Sequence, residues 1–132
     1  MTQENKQLLL KDLCARLLYR VKGVHILGDT IWSEEPETIE NIDLQKGKIW
    51  TDNTVQGYSI EDQDFKPYLR PMSSMTEEEV EKYNELCGCN APFPGIVEES
   101  VAEFLDWLNE HHFDYRNLIE KGLALEAPEE MY

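Results

Sequence analysis

The hydrophobic period of this chain changes near residue 21 and changes back near residue 76. Residues 2–19 place Leu9, Leu13 and Leu17 in one row and Leu10, Cys14 and Leu18 in the next, which is the period of a helix. Thr2 can cap that helix, and Lys6, Lys11 and Arg16 are expected largely outside its apolar stripe. From Val21 to about Ile60 the pattern becomes short β-branched and aromatic runs separated by turn residues. "VKGVHIL" is followed by Gly28-Asp29, and "TIWS" by the acidic break "EEPE". "TIENIDL" leads into "QKGK", where Gly47 supplies the positive φ that a hairpin wants, and "KIWT", "DN" and "TVQGYSI" complete the run. That is four or five short strands. A meander this short must curl into a small barrel or lean on a helix to hide its edges.

Beyond Ile60, Pro67 and Pro71 in "EDQDFKPYLRPM" forbid a long helix and predict a short turn or 3₁₀ segment. "SSMTEEEVEKYNELCG" predicts a helix with Thr76 and Glu79 at capping-box spacing, acids in its first turn and Gly88 at its end. Val80, Tyr83, Leu86 and Cys87 give it a thin apolar stripe. "CNAPFPG" reads as a loop. "IVEESVAEFLDWLNEHH" is the most amphipathic segment, with Val97, Val101, Phe104, Leu105 and Leu108 on one face. "DYRNLIEKG" predicts a short last helix capped by Asp114 and stopped by Gly122, and the tail "LALEAPEEMY" can dock through Leu123 and Leu125. The expectation is one α+β domain over residues 1–132: a helix at 1–20, a β unit at 21–70 forming an antiparallel meander or SH3-like barrel, and an acidic part at 71–132 with two or three helices.

Charge narrows the partners. The net charge is −15, split as −3 over residues 1–70 and −12 over residues 71–132. The second half should repel phosphate backbones and anionic membranes, so protein is the expected partner, no membrane is expected, and nucleic acid, if bound at all, is expected on the N-terminal half. "MTQENKQ" is polar and no apolar run approaches membrane-spanning length. Three cysteines, Cys14, Cys87 and Cys89, without a secretion signal point to reduced thiols in the cytoplasm.

Three segments carry a resemblance: "KDLCARL", "KPYLRPMSSMTEEE" and "DWLNEHHFDYRNLIEKGLALEAPEEMY". They are similar to a set of small uncharacterised proteins abundant in gut bacteria, often in phage or mobile-element contexts. The resemblance implies the same architecture and brings no activity, cofactor or catalytic residue with it. Residues 21–60 do not carry it, so a partner specific to this chain is expected to be read there.

Several constellations invite chemistry. His111 and His112 fall on opposite margins of the apolar stripe, because adjacent helical side chains diverge; helical metal pairs use i, i+4 spacing. Their expected work is to complement the helix dipole and bond its last carbonyls. Cys87 and Cys89, separated only by Gly88, depart from the two-residue spacing of structural zinc sites, with or without the histidines. A Cys87–His111–Asp114 nucleophile set is composable but has no nucleophile elbow. No GxxxxGK[ST], GxGxxG or HExxH occurs. Trp32, Trp50 and Tyr58, with His25, Lys46 and Lys48, could stack bases, but the tryptophans are expected to fill the core between sheet and helices. Glu99, Glu103, Asp106 and Glu110 form an acidic face that is either simply solvated or an imitation of a phosphate backbone. The expected function is a non-enzymatic accessory or adaptor protein, with an acidic nucleic-acid mimic as alternative and a small enzyme or zinc protein third. No catalytic, cofactor-binding or metal residue is assigned, and no cofactor is expected.

Overall fold

A computed structural model describes residues 2–62, 64–87 and 98–132, with the side chains of 98–100 left aside. Helix α1 spans Gln3–Arg16, with the Thr2 hydroxyl accepting from the Asn5 amide, and continues as a 3₁₀ turn over Leu17–Tyr19. Seven strands follow: β1 Lys22–Leu27, β2 Thr30–Ile31, β3 Glu37–Asp43, β4 Lys48–Thr51, β5 Tyr58–Ser59, β6 Phe65–Leu69 and β7 Leu125–Glu126. Helix α2 is Glu77–Leu86 and α3 is Glu98–Glu110.

The strands pair in the order β5-β4-β3-β1-β6-β7, with β2 attached to β1 off this path. β3, β4 and β5 form a meander, but β6 returns to lie beside β1, and β7 adds in parallel to β6. The architecture is therefore α+β with a mixed, open sheet, and the expected closed barrel is not formed. The β1–β2 hairpin turns through Gly28-Asp29, with Gly28 at φ 63° as a type II′ turn asks of its first central residue. α1 covers one face of the sheet. Leu9, Leu10 and Leu13 pack there with Val21, Ile39, Ile49, Ile60, Phe65 and Leu69, and Leu118, Leu123 and Ala124 close the cluster.

β6 corrects the expected turn at "FKPYL". Phe65, Pro67 and Leu69 are buried and Lys66 and Tyr68 half-buried, the alternation of a strand. Proline is tolerated because of phase. The Ile26 amide donates to the Asp64 carbonyl at 2.8 Å, and hydrogen-bonded pairs alternate from there, so Pro67, opposite Gly23, falls between them. Its missing N–H faces the other side, where β7 pairs only from Tyr68 onward. Gly23 permits the close approach: a Cβ there would lie 2.5 Å from the Lys66 carbonyl oxygen. Only Met72–Ser74 forms the 3₁₀ segment.

Arg16 is a second correction. It is fully buried, as is Asp12 one turn earlier, while Cys14 is exposed and Leu18 is 87% exposed. Arg16 donates to Asp12 through Nε (2.8 Å) and Nη2 (3.1 Å), and Nη2 also donates to the Phe113 carbonyl (2.6 Å). Bidentate geometry, the Phe113 carbonyl and the Arg116 guanidinium 3.4 Å from Asp12 offset part of the lost hydration, while Arg16 Nη1 is buried without a partner among the described residues. It fastens α1 to the corner after α3.

That corner is not the expected helix. Asn117 adopts φ 60° and the segment proceeds through turns to Gly122 at φ 75°. Asp114 still caps: its carboxylate accepts from the amides of Leu118 (2.8 Å) and Ile119 (3.0 Å). Phe113 bridges in parallel to Arg70, and Arg70 donates to both Glu79 oxygens at 2.8 and 2.7 Å while lying over the Phe113 ring. Glu79 also closes the expected capping box with Thr76, and the Arg70 hydrogen bonds hold its carboxyl down at about 2. On α3, Leu108 is buried and Phe104 meets Tyr83 edge-on at 5.3 Å, but Val101 and Leu105 are each 39% exposed, so the expected stripe is only partly core. Val97, Gly88 and the "CNAPFPG" loop lie outside the described residues.

Candidate functional site

A cavity of about 490 Å³ opens beside the β1–β2 hairpin. Its walls are His25, the run Trp32–Glu37, Asp52, Asn53 and Tyr58. The chain folds this way locally because "WSEEPE" cannot continue β2 as paired strand. The Trp32 amide still donates to the His25 carbonyl (2.8 Å), and the His25 amide donates to the Ser33 hydroxyl (2.8 Å). After that Pro36 turns the chain into β3. His25 and Trp32 thus face each other across the hairpin, on the face that also carries Leu27.

Glu37 is the floor. It is 3% exposed and opposite Gly23, and hydroxyls from three other segments converge on it. Thr51 in β4 donates to Oε1 at 2.6 Å, Tyr58 in β5 lies 2.9 and 3.1 Å from the two oxygens, and Ser33 donates to Oε2. Burial first, and then this hydrogen bond to Glu37, push the Tyr58 hydroxyl up to about 12, so it stays a donor. Hydrogen bonds to both oxygens offset part of the cost of burying this side chain, and they tie β3, β4 and β5 together around the cavity. The Tyr58 ring stacks on His25 at 4.7 Å and on Phe65 at 5.5 Å.

The rim differs from the floor. Glu34, Glu35 and Asp52 are exposed, Trp32 is 61% exposed, and no lysine or arginine lines the cavity. Outside it, Leu27 and Ile31 are 54% and 50% exposed on the same hairpin. The tryptophans therefore do not fill the core as expected: Trp32 stands in solvent, and Trp50 is half-buried over Gly57. The core between α1 and the sheet is aliphatic plus Phe65, which leaves no space for indoles. Lys46 is exposed and Lys48 half-buried in and before β4, and neither lines the cavity.

The histidine pair behaves differently. His111 Nδ1 lies 3.0 Å from the Trp107 carbonyl, a bond to the last helical turn as expected. His112 turns to φ 60° and buries its ring against Tyr132, with centroids 3.8 Å apart. Burial, then the Arg16 guanidinium, lower its pKa to about 4. Asn109 is buried, and its Oδ1 accepts from the Tyr115 hydroxyl at 2.7 Å. Glu110 is exposed, as are Glu103 and Asp106. Cys87 donates its thiol to the Asn84 carbonyl. Cys89 lies outside the described residues, and among the described residues no three His, Cys, Asp or Glu side chains converge as metal ligands.

Composition and motif had pointed to Trp32, Tyr58 and His25 but passed over Glu37, Ser33 and Thr51. Nothing local distinguishes Glu37 from Glu34 and Glu35; only the hydroxyls brought by β4 and β5 do. A second cavity, of about 380 Å³, lies between Arg70 and the tail, and there the Arg70 charge is already met by Glu79. No helix among the described residues is long and apolar enough to cross a membrane. Comparison with protein-family models, curated proteins and solved structures gave no match.

Proposed function

We propose that this chain is a non-enzymatic cytoplasmic accessory protein that binds another protein through the β1–β2 hairpin and the cavity beside it. The observation that carries this is the outward set of Leu27, Ile31 and Trp32 on one small hairpin, at 50–61% exposure. Exposed apolar side chains concentrated on one hairpin beside a polar cavity mark an interaction surface, and tryptophan is among the residues enriched at binding hot spots. The polar groups in the cavity favour binding over catalysis. Glu37 already accepts three hydroxyls, and Ser33, the nearest hydroxyl, spends its proton on that carboxylate and accepts from a backbone amide. The imidazole of His25 stacks on Tyr58 and is not part of a Ser–His relay. We place the chain with the small proteins of gut bacteria and mobile elements whose three segments it resembles.

An acidic nucleic-acid mimic remains the second reading, favoured by the exposed Glu103, Asp106 and Glu110 along α3. The two are separated by affinity purification from the native host with mass spectrometry, run in parallel on wild type and on Ile31→Ser/Trp32→Ala. The adaptor reading expects one co-eluting protein that the double variant loses at any salt. A partner kept by the double variant and lost at high salt would favour the mimic.

A further inference from the structure

We propose that the cavity beside the β1–β2 hairpin receives the cationic side chain, lysine or arginine, of an extended basic segment in the partner protein. This deepens the proposed function and rests on it. Three observations converge. First, the rim carries Glu34, Glu35 and Asp52, and among the described residues no lysine or arginine lines the cavity. Second, Trp32 and Tyr58 stand in the same wall. An aromatic face attracts a cation by about 0.5–2 kcal/mol according to how far it is desolvated. Third, Glu37 at the floor is fixed by Ser33, Thr51 and Tyr58, so its acceptor oxygens are held in place without needing to be ordered by ligand.

Volume and placement agree. About 490 Å³ holds one long side chain and the backbone that delivers it. Among the described residues β2 pairs only with β1, so an extended segment can lie along its outer side. One side chain then meets Ile31 on one face, and the next, beside Trp32 on the other face, carries its cation into the cavity. Phosphate-bearing ligands meet the wrong sign of charge here.

The test uses full-length ¹⁵N-labelled protein and three capped tripeptides, Ac-Gly-Arg-Gly-NH₂, Ac-Gly-Lys-Gly-NH₂ and the norleucine analogue. The readout is the three indole N–H resonances, Trp32, Trp50 and Trp107. The two cationic peptides should shift Trp32 and leave Trp107 in place, and the norleucine peptide should shift neither indole. Glu34→Gln/Glu35→Gln removes two exposed charges without touching the Glu37 network and should weaken the cationic peptides about threefold or more. Equal shifts from norleucine, or no shift from either cation, overturn the assignment. If the hairpin-dependent partner is still recovered from the host in that case, the cationic ligand falls and the adaptor function stands. If the hairpin variant also keeps every partner, both fall.

Discussion

Acidification should destabilise this fold through His112, and the size of the effect follows from its surroundings. The imidazole is 5% exposed, stacked on Tyr132, and faced by Arg16, Arg70 and His111, with the Tyr19 carbonyl pulling the other way. Its pKa is about 4 in the folded chain against 6.5 when free. The folded state therefore binds this proton less readily than the unfolded state, so stability is full above pH 6.5 and falls as pH drops toward 4. Between pH 7 and pH 5 the linkage integral gives a loss of roughly 2 kcal/mol from this residue. With a urea slope of about 2 kcal/mol/M, the unfolding midpoint should fall by about 1 M over that span. Many carboxylates titrate at the lower end, so the comparison is with His112→Asn. Asparagine tolerates the positive φ at this position and does not titrate. Urea titrations of both proteins at pH 7, 6 and 5, followed by tryptophan fluorescence, give two slopes. The variant should be less stable at pH 7, and its deficit against wild type should shrink by roughly 2 kcal/mol by pH 5. Parallel pH slopes in the two proteins would refute the assignment.

Two further outcomes concern the buried charges. Arg16→Ala leaves Asp12 without its bidentate partner in a dry site and uncovers the Phe113 carbonyl, so it should cost about 3–5 kcal/mol by chemical denaturation, whereas Lys11→Ala, one residue from Asp12 and exposed, should change stability by less than about 0.5 kcal/mol. Glu37→Gln puts an amide donor where hydroxyls already donate and should cost about 1–3 kcal/mol, with the largest losses of amide exchange protection at Thr51 and Tyr58 rather than in α1.

Elements with local signatures were readable from sequence. Thr2 and the Thr76–Glu79 box mark two helix starts, and Gly28 and Gly47 both take the positive φ their turns require. β6 was hidden although Phe65, Pro67 and Leu69 alternate correctly, because the proline is acceptable only in a hydrogen-bonding phase set by β1. Asp12 and Arg16 are visibly one helical turn apart, yet their burial depends on a carbonyl at Phe113, 97 residues away from Arg16. Glu37 is of the same kind: its role is written in Thr51 and Tyr58, 14 and 21 residues on. The stretch "HHFDY" is legible as a corner. That His112 points inward onto Tyr132 depends on a positive φ and a tail contact that helical geometry does not contain.

The central claim is that one small exposed hairpin does the binding. Its most direct measurement is the affinity of the host protein recovered with wild type, determined by calorimetry for wild type and for Ile31→Ser/Trp32→Ala. Both altered side chains stand mostly in solvent, so the fold should be kept, and its unfolding midpoint serves as the control. The account predicts a loss of affinity of 30-fold or more, on the order of the 2 kcal/mol that a tryptophan anchor contributes, at an unchanged midpoint. Equal affinity in the two proteins would contradict it.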